Sequence, residues 1–227
     1  MSGLRGWGPI SWARQRIGRG NPGRWPVVLR GHTPAGLPVE LSPLRLADER
    51  AFTGLRRANA EWLRPWDATP PVDTEEVVAF GELVRRYNAE GLQGRGLPFG
   101  IRVENRLVGQ LSVSSIVLGS FRSCTVGYWI GQAMAGRDIV PTAVALAGDH
   151  VLGTLGLHRI EINIRPENTP SLAVVDKLGF RDEGPRQRYL HIDGEWRDHR
   201  SFALTVEDLA GESLQDRLAR RGPRMPS

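Results

Sequence analysis

The segment from Arg159 to Phe180 constrains the fold most. Ile160, Ile162 and Ile164 alternate with Arg159, Glu161 and Asn163. That period of two predicts a strand with one apolar and one polar face. The period breaks at Arg165-Pro166-Glu167-Asn168. Asn168 is a favoured helix N-cap, Pro170 suits a first helical turn, and Gly179 suits the position just past a helix end. The stretch predicts a strand, a capped turn and a helix over residues 170–178. A strand feeding a short capped helix calls for a sheet with helices on its faces.

The rest of the chain supplies that sheet. Strands are expected at Trp25 to Leu29 and Pro38 to Leu44, flanking a turn at Pro34-Ala35-Gly36. Asp48 opens a helix through Arg57, and a Trp- and Pro-rich loop, Trp62 to Trp66, follows. Asp73-Thr74 precedes a second helix, whose stripe is Val77, Phe80, Val84 and Tyr87 and which Gly91 and Gly94 end. Alternation returns over 99–103, 108–117 and 125–130, with short turns that imply antiparallel pairing. A Gly-containing loop, 131–138, leads to a helix over 139–152 with Pro141 in its first turn. Asp193-Gly194 joins Arg188–Ile192 to Trp196–Val206 as a hairpin. The class is α/β (α+β mixed): a mixed, mostly antiparallel sheet of about seven strands flanked by about four helices. One domain over 25–206 is expected, after an irregular extension (1–24) and before a tail (207–227) with a weak helix around Leu214 and Leu218.

Of the 227 residues, 40% are apolar, enough for a real core. No run approaches the roughly 20 apolar residues of a membrane-spanning helix, and the start lacks the apolar core of a signal peptide. A cytoplasmic location is expected. Cys124 is the single cysteine. It cannot form an internal disulfide and reads as a small buried hydrophobe on a strand. The five histidines are scattered, so no metal is expected. Net charge is +5, and Lys177 is the only lysine among 30 basic side chains. Arg5, Arg14, Arg16, Arg19 and Arg24 crowd one end; Arg217, Arg220, Arg221 and Arg224 crowd the other. Such ends are either solvated or hold an acidic partner or RNA through phosphate contacts.

Several local motifs point to one family. Tyr128-Trp129-Ile130, then Ala135-Gly136-Arg137 and a helix, resembles the acetyl-CoA-binding segment of the GNAT superfamily of N-acyltransferases. So does His158-Arg159-Ile160-Glu161 leading to Arg165-Pro166-Glu167-Asn168, Ser171 and Asp176-Lys177-Leu178-Gly179-Phe180. Tyr189 to Gly194, Trp196-Arg197-Asp198 and the Trp/Pro loop are similar to the branch that acetylates the N-terminal alanine of ribosomal proteins. The resemblance covers about residues 38–206.

It implies acetyl-CoA as co-substrate and a primary amine as acceptor, with a ribosomal-protein N-terminus as partner, no membrane, and a monomer or homodimer. The strands at 126–130 and 159–164 would splay to admit the pantetheine arm. Fixed N–H donors would then stabilise a tetrahedral oxyanion. Physically, a loop feeding a helix N-terminus offers free N–H groups and a positive dipole end to a pyrophosphate. Candidate cofactor contacts are Tyr128, Trp129, Ile130, Gly136, Arg137, Asp138, Ile139, Asn168, Ser171 and Lys177. Glu161 is the first candidate base; its alternative is an ion pair with Arg159 or Arg165. Ser171 is the candidate proton donor to the leaving thiolate. For Asn168 and Ser171 the alternative is helix capping. Trp62, Trp66, Tyr189 and Trp196 are candidate acceptor-groove residues, or ordinary packing.

Two positions depart from the superfamily pattern. Aligned on Gly136, Ala133 stands where Gln or Arg is usual, and Asp138 where Gly or Ala is usual. A carboxylate about 5 Å from a phosphate costs on the order of 1–3 kcal/mol. Val175 occupies the place of a tyrosine found in many members. Acetylation of a small amine, or a non-catalytic domain with weakened CoA binding, therefore stand beside the main reading.

Overall fold

The computed structural model describes residues 25–72 and 78–222. The extension 1–24, the Asp73-Thr74 helix start and Val77 of the predicted stripe lie outside the described residues. Eight strands form one sheet: β1 (Leu29–His32), β2 (Pro38–Pro43), β3 (Leu97–Val103), β4 (Arg106–Val117), β5 (Ser123–Ile130), β6 (Arg159–Ile164), β7 (Arg181–Ile192) and β8 (Glu195–Thr205). Their order is β1-β2-β3-β4-β5-β6-β8-β7, and all neighbours are antiparallel except β5 and β6. The helices are α1 (Glu49–Ala58), α2 (Ala60–Leu63), α3 (Phe80–Leu92), α4 (Ile139–Asp149), α5 (Thr169–Leu178), α6 (Val206–Leu209) and α7 (Leu214–Arg221).

The expected sheet is present, with eight strands rather than about seven. The edge strand β1 starts at Leu29, where the sequence places the end of a strand. Trp25 is instead a core wedge: it is 5% exposed, lies 5.3 Å from Phe99 ring to ring, and donates to Asn88 through Nε1.

The isoleucine face of β6 packs on the helices. Ile160, Ile162 and Ile164 join one core with α4, α5 and α7. Helix α4 is buried from Ile139 to Gly148, as expected of a helix that is apolar all round. On the opposite face, Phe80 and Val84 of α3 bury with Leu44, and Phe52 and Tyr87 pack around them. The segment after residue 206 is an integral part of the core. Leu214 is fully buried and Leu218 is 4% exposed. The Asp149 carboxylate accepts from the Leu214 N–H. Two apolar positions per two turns gave the sequence only a weak signal there.

The unequal pairing of β5 with its two neighbours positions the site. β5 pairs with β4 along its length, from Ser123 to Ile130. It pairs with β6 only over Ser123–Thr125 against Arg159–Glu161. Beyond Thr125 the two strands diverge, and the sheet opens.

Candidate active site

A cleft of about 1160 Å³ runs through that opening. Alternation along β5 divides its lining. Tyr128 and Ile130 pack toward the α4–α5 side, where Ala135, Gly136, Asp138, Ile139, Asn168, Ser171 and Lys177 also line it. Gly127 and Trp129 belong to the other face. Gln110 and Ser112 of β4, Phe52 and Arg56 of α1, Tyr87 of α3, and Trp62, Trp66 and Asp67 complete that half.

The α4–α5 half is built from two helix N-termini. Gly136 has φ +75°, and nothing lies within 4 Å of where a Cβ would stand. Asp138 is left-handed at φ 56° and precedes α4. Its carboxylate does not cap the helix. It pairs with the Lys177 ammonium of α5, both side chains being largely buried. The first N–H groups of α4 are therefore left for a ligand. Arg137 is exposed at the rim and outside the lining. Asn168 caps α5 through Oδ1, which accepts from the Ser171 N–H at 3.1 Å. Capping and cleft lining thus coincide in Asn168 and Ser171. Val175 is buried.

Tyr128 carries the polar atom of greatest interest. Its hydroxyl is buried and has no hydrogen-bond partner. Burial pushes its pKa well above the ordinary value. The phenol is protonated at neutral pH, and its proton is uncommitted.

In the other half, Trp62 donates through Nε1 to the Ile130 carbonyl at 3.1 Å. This holds the first turn after β5. The Arg165 guanidinium lies 5.4 Å from the Trp66 ring. The Arg56 guanidinium covers Trp129 at 5.1 Å and donates to both oxygens of Asp67. Trp129 donates to Gln110, which donates to Tyr87. The Trp/Pro loop is tied to the hairpin by an Ala68–Ile192 bridge and by the Thr69 N–H on the His191 carbonyl.

Besides Arg137, three sequence candidates stand outside the cleft. Glu161 is outside the lining. Its carboxylate accepts from Arg159 at 3.1 Å and Asn163 at 3.0 Å, and pairs with Arg186 at 2.7 Å. Tyr189 and Trp196 lie on the β7–β8 hairpin, also outside the lining. The Tyr189 hydroxyl accepts from Asn163 at 3.1 Å. Trp196 is 54% exposed, with its edge against His191. The sequence reading did not single out Arg56, Asp67, Tyr87, Gln110 and Ser112. Asp67 directly follows Trp66 and was within reach. Gln110 and Ser112 share a strand face with Gly127 and Trp129 only through long-range register. Among the described residues no group of acids, histidines and cysteines could hold a metal, and no helix is long and apolar enough to cross a membrane.

A profile of the acetyltransferase (GNAT) domain matches residues 39–181. The [ribosomal protein uS5]-alanine N-acetyltransferase of Escherichia coli is 36% identical over 168 residues, 72% of this chain and 82% of that protein. The solved structure of Mycobacterium smegmatis RimJ in complex with CoA-disulfide superposes with a TM-score of 0.82. It is 38% identical, and the match covers 88% of this chain and 96% of that one.

Proposed function

The chain belongs to the GNAT acetyltransferase family and is an acyltransferase; from that premise we propose that it transfers an acetyl group from acetyl-CoA to the N-terminal amine of a ribosomal protein, alanine being the first residue to test. The observation that carries the reading is the cleft crossing the sheet where β5 and β6 part. One end has helix N-termini suited to a pyrophosphate, and the other an aromatic groove suited to a peptide.

The residues present fit acetyl-CoA. The free N–H groups at the start of α4, with Gly136 open beside them, would hold the pyrophosphate. Asn168, Ser171 and the uncommitted Tyr128 hydroxyl would face the thiol end. Bound there, acetyl-CoA supplies an activated acyl group and a thiolate leaving group. An α-amino group has a pKa of about 7.7–8.0. Roughly a tenth or more of it is already neutral at pH 7, so a modest base or water suffices for the rest. Ser171, with the Tyr128 phenol behind it, holds a proton where the thiolate would need one. Glu161 fits the base role poorly, because two guanidiniums and an amide engage it. The Asp138–Lys177 pair removes the bare charge that argued for a non-catalytic domain.

The test is titration with acetyl-CoA by calorimetry, followed by acetylation assays on peptides starting with Ala, Ser or Thr. Micromolar binding and turnover of the Ala peptide are expected. Binding without turnover of any peptide, beside turnover of a small amine, overturns the acceptor assignment. Absence of binding overturns the reading altogether.

A further inference from the structure

The cleft lining holds two carboxylates among the described residues, Asp138 and Asp67. They lie in different halves. Asp138 is matched by Lys177 beside the α4 N-terminus. Asp67 lies in the half bounded by α1, the Trp/Pro loop and α3, and is the acid there. The other polar groups of that half are the Arg56 guanidinium, which pairs with Asp67, and the neutral Gln110, Ser112, Tyr87 and Trp129 indole N–H.

Asp67 is held rigidly but is not used up. Arg56 donates Nη1 to its Oδ1 at 3.2 Å and Nη2 to its Oδ2 at 2.6 Å. The guanidinium is itself fixed over the Trp129 ring. A carboxylate offers about four acceptor sites, and Arg56 takes one on each oxygen. The Asp67 side chain is 32% exposed, so the remaining sites stay reachable. An ammonium brings three donors, and a charge-assisted hydrogen bond is the strong kind.

We infer that Asp67 is the specificity-determining residue for the acceptor: it receives the protonated N-terminus of the incoming chain in the front half of the cleft and so selects free amines over blocked ones. This rests on the acceptor reading above and deepens it. The proton passes to solvent before the nitrogen attacks. Asp67 therefore positions the acceptor and is not its base.

The experiment compares two peptides of one Ala-initiated sequence, one with a free amine and one N-formylated. Both are titrated into the full chain saturated with CoA. The unmodified protein is expected to prefer the free amine by on the order of tenfold or more, the scale of one charged hydrogen bond. Asp67→Asn, which is isosteric, is expected to bring that ratio close to one and to raise the acceptor KM about tenfold. Its larger effect falls on KM rather than kcat, and acetyl-CoA affinity does not move. Asp67→Glu should restore part of the preference. Retention of the free-amine preference in Asp67→Asn overturns the inference. Equal weakening of both peptides also overturns it, since Asp67 would then merely pin the loop to α1. If the unmodified protein binds acetyl-CoA but acetylates no peptide, the acceptor reading fails instead, and that control is read separately.

Discussion

At position 138 the chain puts a carboxylate where the family pattern has glycine or alanine, and its only lysine answers it. Taken alone, the carboxylate would repel a phosphate by about 1–3 kcal/mol. Paired, the two charges nearly cancel. Lys177→Ala should therefore weaken acetyl-CoA binding by roughly tenfold or more, by baring Asp138. Lys177→Ala with Asp138→Gly should recover most of it, and the double-mutant cycle is read by calorimetry. If Lys177→Ala binds normally, the pair has no bearing on the cofactor. Glu161 presents the opposite case. Its family resemblance and strand position were visible, but its three partners lie on β6 and β7 and emerge only from the fold. Glu161→Gln should leave kcat within about threefold and instead lower the unfolding midpoint, because Arg159 and Arg186 lose a largely buried anion. A large loss of kcat with unchanged stability would return Glu161 to the role of base.

At the scale of elements, the sequence was most legible where period and caps agreed. The run from Arg159 to Gly179 emerges as β6, a capped turn and α5 with Asn168 and Gly179 at its ends. β7 was half hidden, because most of its early residues are exposed and register shifts interrupt its pairing. No alternation marks such a strand. Helix α7 was hidden for another reason: its importance lies in where it docks. Gly148 of α4 lets it come close, since a Cβ there would stand 2.4 Å from a Leu214 methyl. Leu214→Ala should cost about 2–5 kcal/mol of stability. Gly148→Ala alone overpacks the contact and should cost about 1–3 kcal/mol. In the double variant the new methyl occupies part of the vacated space, so the cost should fall short of the sum. Denaturant unfolding of the four proteins gives the answer. Strict additivity would mean that the two residues do not share this contact.

For the whole molecule, the open sheet divides the labour. The α4–α5–α7 side carries the apolar core, which β6 and β8 share, and the β6–β8–β7 end adds a network of ion pairs. Glu183 links Arg159 of β6 to Arg181 of β7. The hydrogen bond from Arg159 is the main reason its pKa falls from 4.5 to about 2. His199 of β8 is also depressed, chiefly by burial. Both groups are less ready to take a proton folded than unfolded, so both lose stability as pH falls. The His199 contribution is complete above its unfolded value of about 6.5 and declines below it. The Glu183 contribution is complete above about 4.5 and is lost on the way to 2. Stability measured by denaturant should thus slope gently downward below neutral pH and steeply below pH 4.5. Glu183→Gln should flatten the steeper part while leaving the gentler one. The same hairpin anchors the Trp/Pro loop through Ala68 and Thr69, so acid loosening of this end should reach the acceptor half of the cleft first. Acceptor KM should rise at mildly acidic pH before acetyl-CoA affinity does. Simultaneous loss of both would mean that the two halves are held by one set of contacts, and that the sheet opening does not divide them.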